Sequence, residues 1–191
     1  MMYKIATYTV IILLLAQNLS AQEYESDKKF INEVVKLHGK VAYVDCMSVD
    51  TFEMGLKYPL TNDTLRGTEY GGYNSETLIL TEDELIHVNI ELRRMKYPYL
   101  KSGLFDSSII MSEESVYKIL NNESLGWSYF LTYFGTSGYY VFSKPIFLRN
   151  DSLCIFYHAQ YQKIGGGGNL SVYKKVESIW VPWIDLMTWV N

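Results

Sequence analysis

Cysteine, histidine and proline are scarce in this chain, at two, three and four residues among 191. Cys46 and Cys154 stand alone, without the paired spacing of a zinc ribbon or a redox motif. His38, His87 and His158 fall in separate segments, and none belongs to an H-x-x-x-H or H-E-x-x-H pattern that would set two imidazoles on one helix face. No G-x-S-x-G turn offers an activated serine, and Asp45, Glu69 and Asp185 form no acid/base pair by spacing. The sequence thus presents no catalytic set, no metal set and no cofactor motif. Excess positive charge is absent as well. The formal charge is −4, so a general nucleic-acid partner is excluded for want of phosphate attraction. Past residue 21, no apolar run nears the roughly 20 residues of a membrane-spanning helix.

The one long apolar run lies at the start. Met1–Lys4 is short and positive, and Ile5–Ala16 is uncharged and mostly apolar. Gln17-Asn18 and then Leu19-Ser20-Ala21 follow, giving a small-residue cleavage site before Gln22. This predicts a signal peptide over 1–21 and a single domain over 22–191, in a secreted or periplasmic protein. An uncleaved anchor is the alternative. No cysteine follows the run closely, which argues against a lipid-anchored form. Lys4 is the single charge up to Ala21, so the remainder holds 16 of the 17 basic residues and all 21 acidic ones. Export implies an oxidising compartment. There a Cys46–Cys154 disulfide is a candidate, closing a loop of roughly 110 residues for about 4–5 kcal/mol in the chain-entropy model. Two buried free thiols are the alternative.

What the chain has in quantity is tyrosine, at 17 residues. Its ring can be buried while its hydroxyl stays wet, which suits half-buried sheets and binding surfaces. Asp27–His38 reads as a first helix, capped by Ser26, with Phe30, Val34 and Leu37 on one face and Gly39 as the stop. Val41–Met47 reads as a strand. Residues 48–76, broken by Pro59, Gly67, Gly71 and Gly72, read as a long connection holding at most one short strand. Leu78–Leu80 leads into the best-signalled helix, where Thr81 and Glu84 make a capping box and Leu85, Val88, Leu92 and Met95 share a face. Ser112 opens a further helix through Leu120, and another runs over 124–134 to Gly135. Four strands close the chain, at Tyr139–Phe147, Ser152–Gln162, Asn169–Val176 and Trp180–Val190. Pro145 and Pro182 fall in the outer two, where proline is tolerated.

The run Gly165-Gly166-Gly167-Gly168 invites a phosphate-loop reading, but G-x-G-x-x-G fails in every register. No Lys-Ser/Thr follows it, and its flanks are strands. A flexible hairpin is expected instead, with Gly166 and Gly168 kept as binding candidates because a missing side chain permits close approach of a backbone or ligand. On Ser152–Gln162, the residues Leu153, Ile155, Tyr157, Ala159 and Tyr161 alternate with Cys154, Phe156, His158, Gln160 and Gln162. One face should meet a core and the other be partly wet. His158, Gln160 and Gln162 are binding candidates if that second face lines a cleft, and a solvated polar stripe otherwise. The tryptophans read as sheet core in preference to a sugar-stacking surface.

Gly126-Trp127, Phe130, Tyr133 and Ser137-Gly138 begin a longer pattern. Ser143-Lys144, Phe147, Tyr157, Gly166, Gly168, Lys174, Trp180 and a closing Trp189-Val190-Asn191 complete it. Over roughly the last third of the chain this resembles an uncharacterised family of secreted bacterial proteins with a Trp/Phe-rich helix, a Gly-rich hairpin and a terminal Trp. The resemblance implies export and a C-terminal sheet, and it supplies no catalytic residues. Pro145, the four consecutive glycines and the spacing around Pro182-Trp183 depart from it.

The expected fold is α+β, a C-terminal four-stranded antiparallel meander packed by helices, with an NTF2-like cone as the alternative. The expected function is a non-enzymatic exported binding module for a protein or cell-surface component. A small-ligand pocket between helices and sheet is the first alternative, and an inhibitor or immunity partner of a toxin the second.

Overall fold

The computed structural model describes residues 21–68, 76–95 and 97–190. The expected signal peptide, Ala21 excepted, lies outside the described residues, as do Glu69, Gly71 and Gly72. The chain divides into two compact units, Met1–Lys36 and Leu37–Asn191. In the first, a helix (α1) covers residues 21–35. Ser26 lies inside α1 and does not cap it, and the left-handed turn at Lys36 (φ 49°) ends it before the expected stop at Gly39.

The second unit is built on a seven-stranded, mostly antiparallel sheet with few helices. Its strands are β1 (Val41–Val44), β4 (Ser108–Met111), β5 (Gly138–Phe142), β6 (Ile146–Leu148), β7 (Leu153–Gln162), β8 (Gly166–Val176) and β9 (Ile179–Val190). They lie in the order β4-β1-β5-β7-β8-β9, with β6 also paired to β7. The sheet therefore exceeds the expected four strands, because β1 inserts parallel to both β4 and β5. All four residues of β1 are buried, as a strand with parallel neighbours requires. Against β9, β2 (Thr64–Arg66) and β3 (Thr77–Ile79) make a separate antiparallel ribbon.

The expected strand Tyr139–Phe147 is split into β5 and β6, which follow one another along the same side of β7. Ser143 bridges the break. Its amide donates to Tyr157 O (2.9 Å) and its hydroxyl accepts from Tyr157 N (2.9 Å), so the Tyr157 backbone stays satisfied where the ladder lapses.

The connection expected over 48–76 hides a helix. Ser48 Oγ accepts from Thr51 N (3.1 Å), capping α2 (Val49–Phe52), which widens into a π turn over Glu53–Lys57. Gly55 obscures that helix in the sequence. A Cβ there would sit 3.5 Å from the Tyr157 ring, in ordinary contact, so the turn lies against β7. Helix α3 (Glu82–Arg94) starts on the expected capping box: Thr81 N donates to Glu84 Oε2 (2.9 Å) and Glu84 N to Thr81 Oγ1 (3.2 Å). Helix α4 (Glu113–Leu120) is capped by Ser112. The expected helix over 124–134 is a series of turns ending in a π turn, Phe130–Phe134, that stops at left-handed Gly135 (φ 69°).

These helices cover one face of the sheet. Phe52 and Leu56 from α2 and its π turn, Val88 and Leu92 from α3, and Val116 and Ile119 from α4 pack with Ile155, Tyr157 and Ala159 of β7 and Leu170 and Val172 of β8 in one buried cluster. On the opposite face Tyr43, Phe105, Phe142, Phe156 and Tyr173 form a chain of ring contacts. Among the described residues no helix is long and apolar enough to cross a membrane.

Candidate functional site

The alternation along β7 sends its residues into two different surroundings. On the helix-covered face, Tyr161 stacks on its cross-strand partner Tyr139, with centroids 5.2 Å apart and ring planes within 10°. Trp127 stacks beyond Tyr139 at 6.1 Å, and Trp189 lies beyond Tyr161 at 5.3 Å. The result is a row of four rings. Its two central rings, Tyr139 and Tyr161, form one wall of a cleft of about 350 Å³ between α4 and the sheet.

Val44 and Val141 make the cleft floor, and Val116 and Leu120 of α4 face them. Glu113 and Tyr117 of α4 and its C-terminal capping residue Asn121, exposed positions that also line the cleft, form its rim. Spacings of three and four residues put these α4 side chains on one helix face. The remaining wall is polar and comes from the segment after β1, Cys46 to Thr51. There Ser48 Oγ donates to Thr51 Oγ1 (2.8 Å), and Thr51 Oγ1 lies 3.5 Å from Tyr161 OH. Trp189 Nε1 donates to Tyr157 OH (3.2 Å) next to Tyr161. A band of hydroxyl groups thus runs beside an apolar floor.

Two titratable groups in the cleft, Cys46 and Tyr139, are held in their neutral forms. Burial first, then a hydrogen bond with Asp45 and the charges of Asp45 and Glu113, push the Cys46 thiol up to about 12. Burial, with smaller contributions from Tyr161 and Glu113, takes the Tyr139 phenol up to about 12. A thiol so placed is a poor nucleophile, because the thiolate is the reactive form. Glu113 is the one carboxylate in the lining, and no lysine, arginine or histidine is among the described residues that line it.

The residues singled out from sequence do not converge here. His158, Gln160 and Gln162 project from the opposite face of β7, paired with Phe142, Tyr140 and Gly138. That face is less wet than expected, since Cys154 and Phe156 on it are fully buried. Burial lowers the His158 pKa. Gln162 Oε1 accepts from Ser137 Oγ (3.3 Å) and Gln160 Nε2 (3.5 Å). Farther along the same face Asn169 Nδ2 donates to Ser171 Oγ (2.8 Å), and Ser171 Oγ donates to Asp185 Oδ1 (2.6 Å).

Gly166 and Gly168 lie on the cleft face, opposite Tyr161 and Ala159. The expected hairpin joins β7 to β8, with its turn over residues 163–165. Gly166, Gly167 and Gly168 are the first residues of β8, and of the four glycines only Gly165 (φ 72°) sits in the turn. The close approach anticipated there is made by the protein itself: a Cβ on Gly168 would stand 2.6 Å from Ala159 Cβ and 2.9 Å from Trp189 Nε1. Neither Cys46 nor Cys154 forms a disulfide. Cys46 lines the cleft, whereas Cys154 belongs to the opposite face of the sheet, so strand alternation keeps the candidate bridge from closing.

The cleft residues Ser48, Thr51, Glu113, Tyr117 and Asn121 were not marked by the sequence. Their only common signal is position just after a strand or along one face of α4. No family model matches the chain, and no curated protein or solved structure matches it.

Proposed function

We propose that this chain is an exported, non-enzymatic binding protein that holds a small ligand in the cleft between α4 and the sheet. The observation that carries the reading is the cleft itself. Its volume of about 350 Å³ falls in the range of roughly 300–1,000 Å³ typical of small-molecule sites, and its apolar floor with a few convergent polar groups is their usual make-up. The neutral state of Cys46 and Tyr139 favours hydrogen bonding to a ligand over covalent attack. Export rests on the N-terminal pattern. On this reading β7, β8 and β9, with β5 and β6 together as the first strand, act as the antiparallel meander of the secreted bacterial family that the C-terminal third resembles, and the cleft wall is carried on it.

Trp189 supplies the assay, because it packs on Tyr161 and its emission should respond to occupancy. The purified protein is titrated with a panel of small ring-bearing compounds, beside a Val116→Trp variant that fills the cleft. The expected result is saturable binding that the variant loses while its far-UV spectrum is unchanged. Equal binding by Val116→Trp, or no saturable binding across the panel, would overturn the proposal.

A further inference from the structure

Resting on the binding reading of the cleft, we infer that its ligand is an organic amine. The protonated nitrogen is held by the Glu113 carboxylate at the rim, and an apolar or aromatic body lies over Val44, Val116 and Val141.

The charge inventory points one way. Glu113 is the only ionised side chain in the lining, with no cation beside it among the described residues. An anionic ligand would enter against a like charge with nothing to offset its desolvation. A cation would find a carboxylate that is available. Glu114, the next residue, is engaged by Lys118 at 2.6 Å, whereas Glu113 makes no ion pair among the described residues. It stands in the first turn of α4, at the end of a helix that suits an acidic side chain.

The polar groups that share the lining with Glu113 suit an N–H donor. Hydroxyls of Thr51, Tyr161 and Tyr139 each carry acceptor lone pairs. Asn121 commits its amide nitrogen to Tyr117 O (3.0 Å), so its oxygen is the freer end. The negative field of the site is also felt internally, since Glu113 is among the causes that keep Cys46 and Tyr139 protonated. The rest of the cavity is hydrocarbon and ring, which a small charged solute such as ammonium would leave unfilled. An amine carried on a ring or short chain uses both parts.

Three probes with one ring and different head groups separate the possibilities: 2-phenylethylamine, 2-phenylethanol and phenylacetate. Each is titrated calorimetrically into the wild-type protein, Glu113→Gln and the cleft-filling Val116→Trp. A rim-exposed ion pair is a modest contributor, so the amine should bind about 2–5-fold more tightly than the alcohol, with phenylacetate weakest. Glu113→Gln should abolish the preference for the amine over the alcohol. Because Glu113 is exposed, that variant should fold normally. Wild-type protein that binds the alcohol or the acid as tightly as the amine overturns the amine assignment, as does a Glu113→Gln variant that keeps the preference. If those affinities still vanish in Val116→Trp, the cleft survives as a binding site for another chemical class. Absence of binding by all three probes overturns the amine assignment, while the broader panel decides the cleft itself.

Discussion

Placing an alanine at Gly168 adds one methyl group to a strand that should tolerate it by backbone conformation, since Gly168 is not among the glycines at positive φ. On that ground alone, Gly→Ala would stabilise the protein by about 0.4–1 kcal/mol through the unfolded chain. The packing says otherwise. The new Cβ would lie 2.6 Å from Ala159 Cβ, 2.9 Å from His158 O and 2.9 Å from Trp189 Nε1. Two of these neighbours cannot swing away, because one is backbone and the other is fixed directly to it. Trp189 is restrained too, by its hydrogen bond to Tyr157 OH and its contact with Tyr161. Overpacking of this kind costs about 1–3 kcal/mol, so the net destabilisation should be about 1–2 kcal/mol. For a chain of this length that corresponds to a fall in Tm of roughly 2–8 °C. Urea unfolding, followed by tryptophan fluorescence and far-UV dichroism together, measures it. The compensating swap Ala159→Gly with Gly168→Ala removes the shortest contact and should recover part of the loss. A Gly168→Ala protein as stable as wild type would refute the view that these glycines exist to admit Trp189 and the neighbouring strand.

Three further perturbations follow from particular contacts. Glu91 is buried and pairs with Lys144 (2.7 Å) and Arg94 (2.6 Å), so Glu91→Gln should cost about 3 kcal/mol by withdrawing the carboxylate from a largely buried lysine; chemical denaturation gives the value. Ser143→Ala removes the acceptor of the buried Tyr157 amide and should cost about 1–3 kcal/mol in the same assay, with Ser143→Thr milder if the hydroxyl is what matters. Burial depresses the folded pKa of His158, so the unfolded chain takes up that proton first. Stability from this group is complete above the unfolded value of about 6.5 and declines as pH falls below it; Tm measured from pH 8 to 5 should drop less steeply in His158→Gln.

The periodic features of the chain were legible because they are local. The two faces of β7, the capping box at Thr81 and Glu84 and the stop at Gly135 each need only a few neighbouring residues. What escaped is set by distant partners. Three glycines at the head of β8 look like a flexible loop until Trp189 is seen lying across Gly168. Gly55 looks like a helix breaker until the Tyr157 ring is found against it. Strand β4, Ser108–Met111, carries no alternation of its own and is recognisable only by its pairing with β1. Glu91 sits on the α3 face expected to be apolar, and it is buried there because Lys144 arrives from the β5–β6 break. Each of these residues breaks a local rule for a tertiary reason.

The cleft has the same origin. Had the sheet ended at β5, the rings of Tyr139 and Tyr161 would have faced the helices with nothing beside them. Inserting β1 parallel to β5, and β4 parallel to β1, makes both strands end in the same direction. Each is followed at once by a helix, α2 after Ser48 and α4 after Ser112. In open sheets with parallel strands, the space outside the carboxyl ends is where such chain reversals leave a crevice. Here the polar segment 46–51 closes one side, the α4 face closes another, and the tyrosine pair closes the third. The antiparallel strands supply the aromatic wall, and the parallel insertion supplies the hydroxyls and the single carboxylate. Chemistry at this site therefore depends on residues from both halves of the sheet, so Glu113→Gln should alter ligand preference while Gly168→Ala, acting through Trp189 and Tyr161, should weaken every ligand alike.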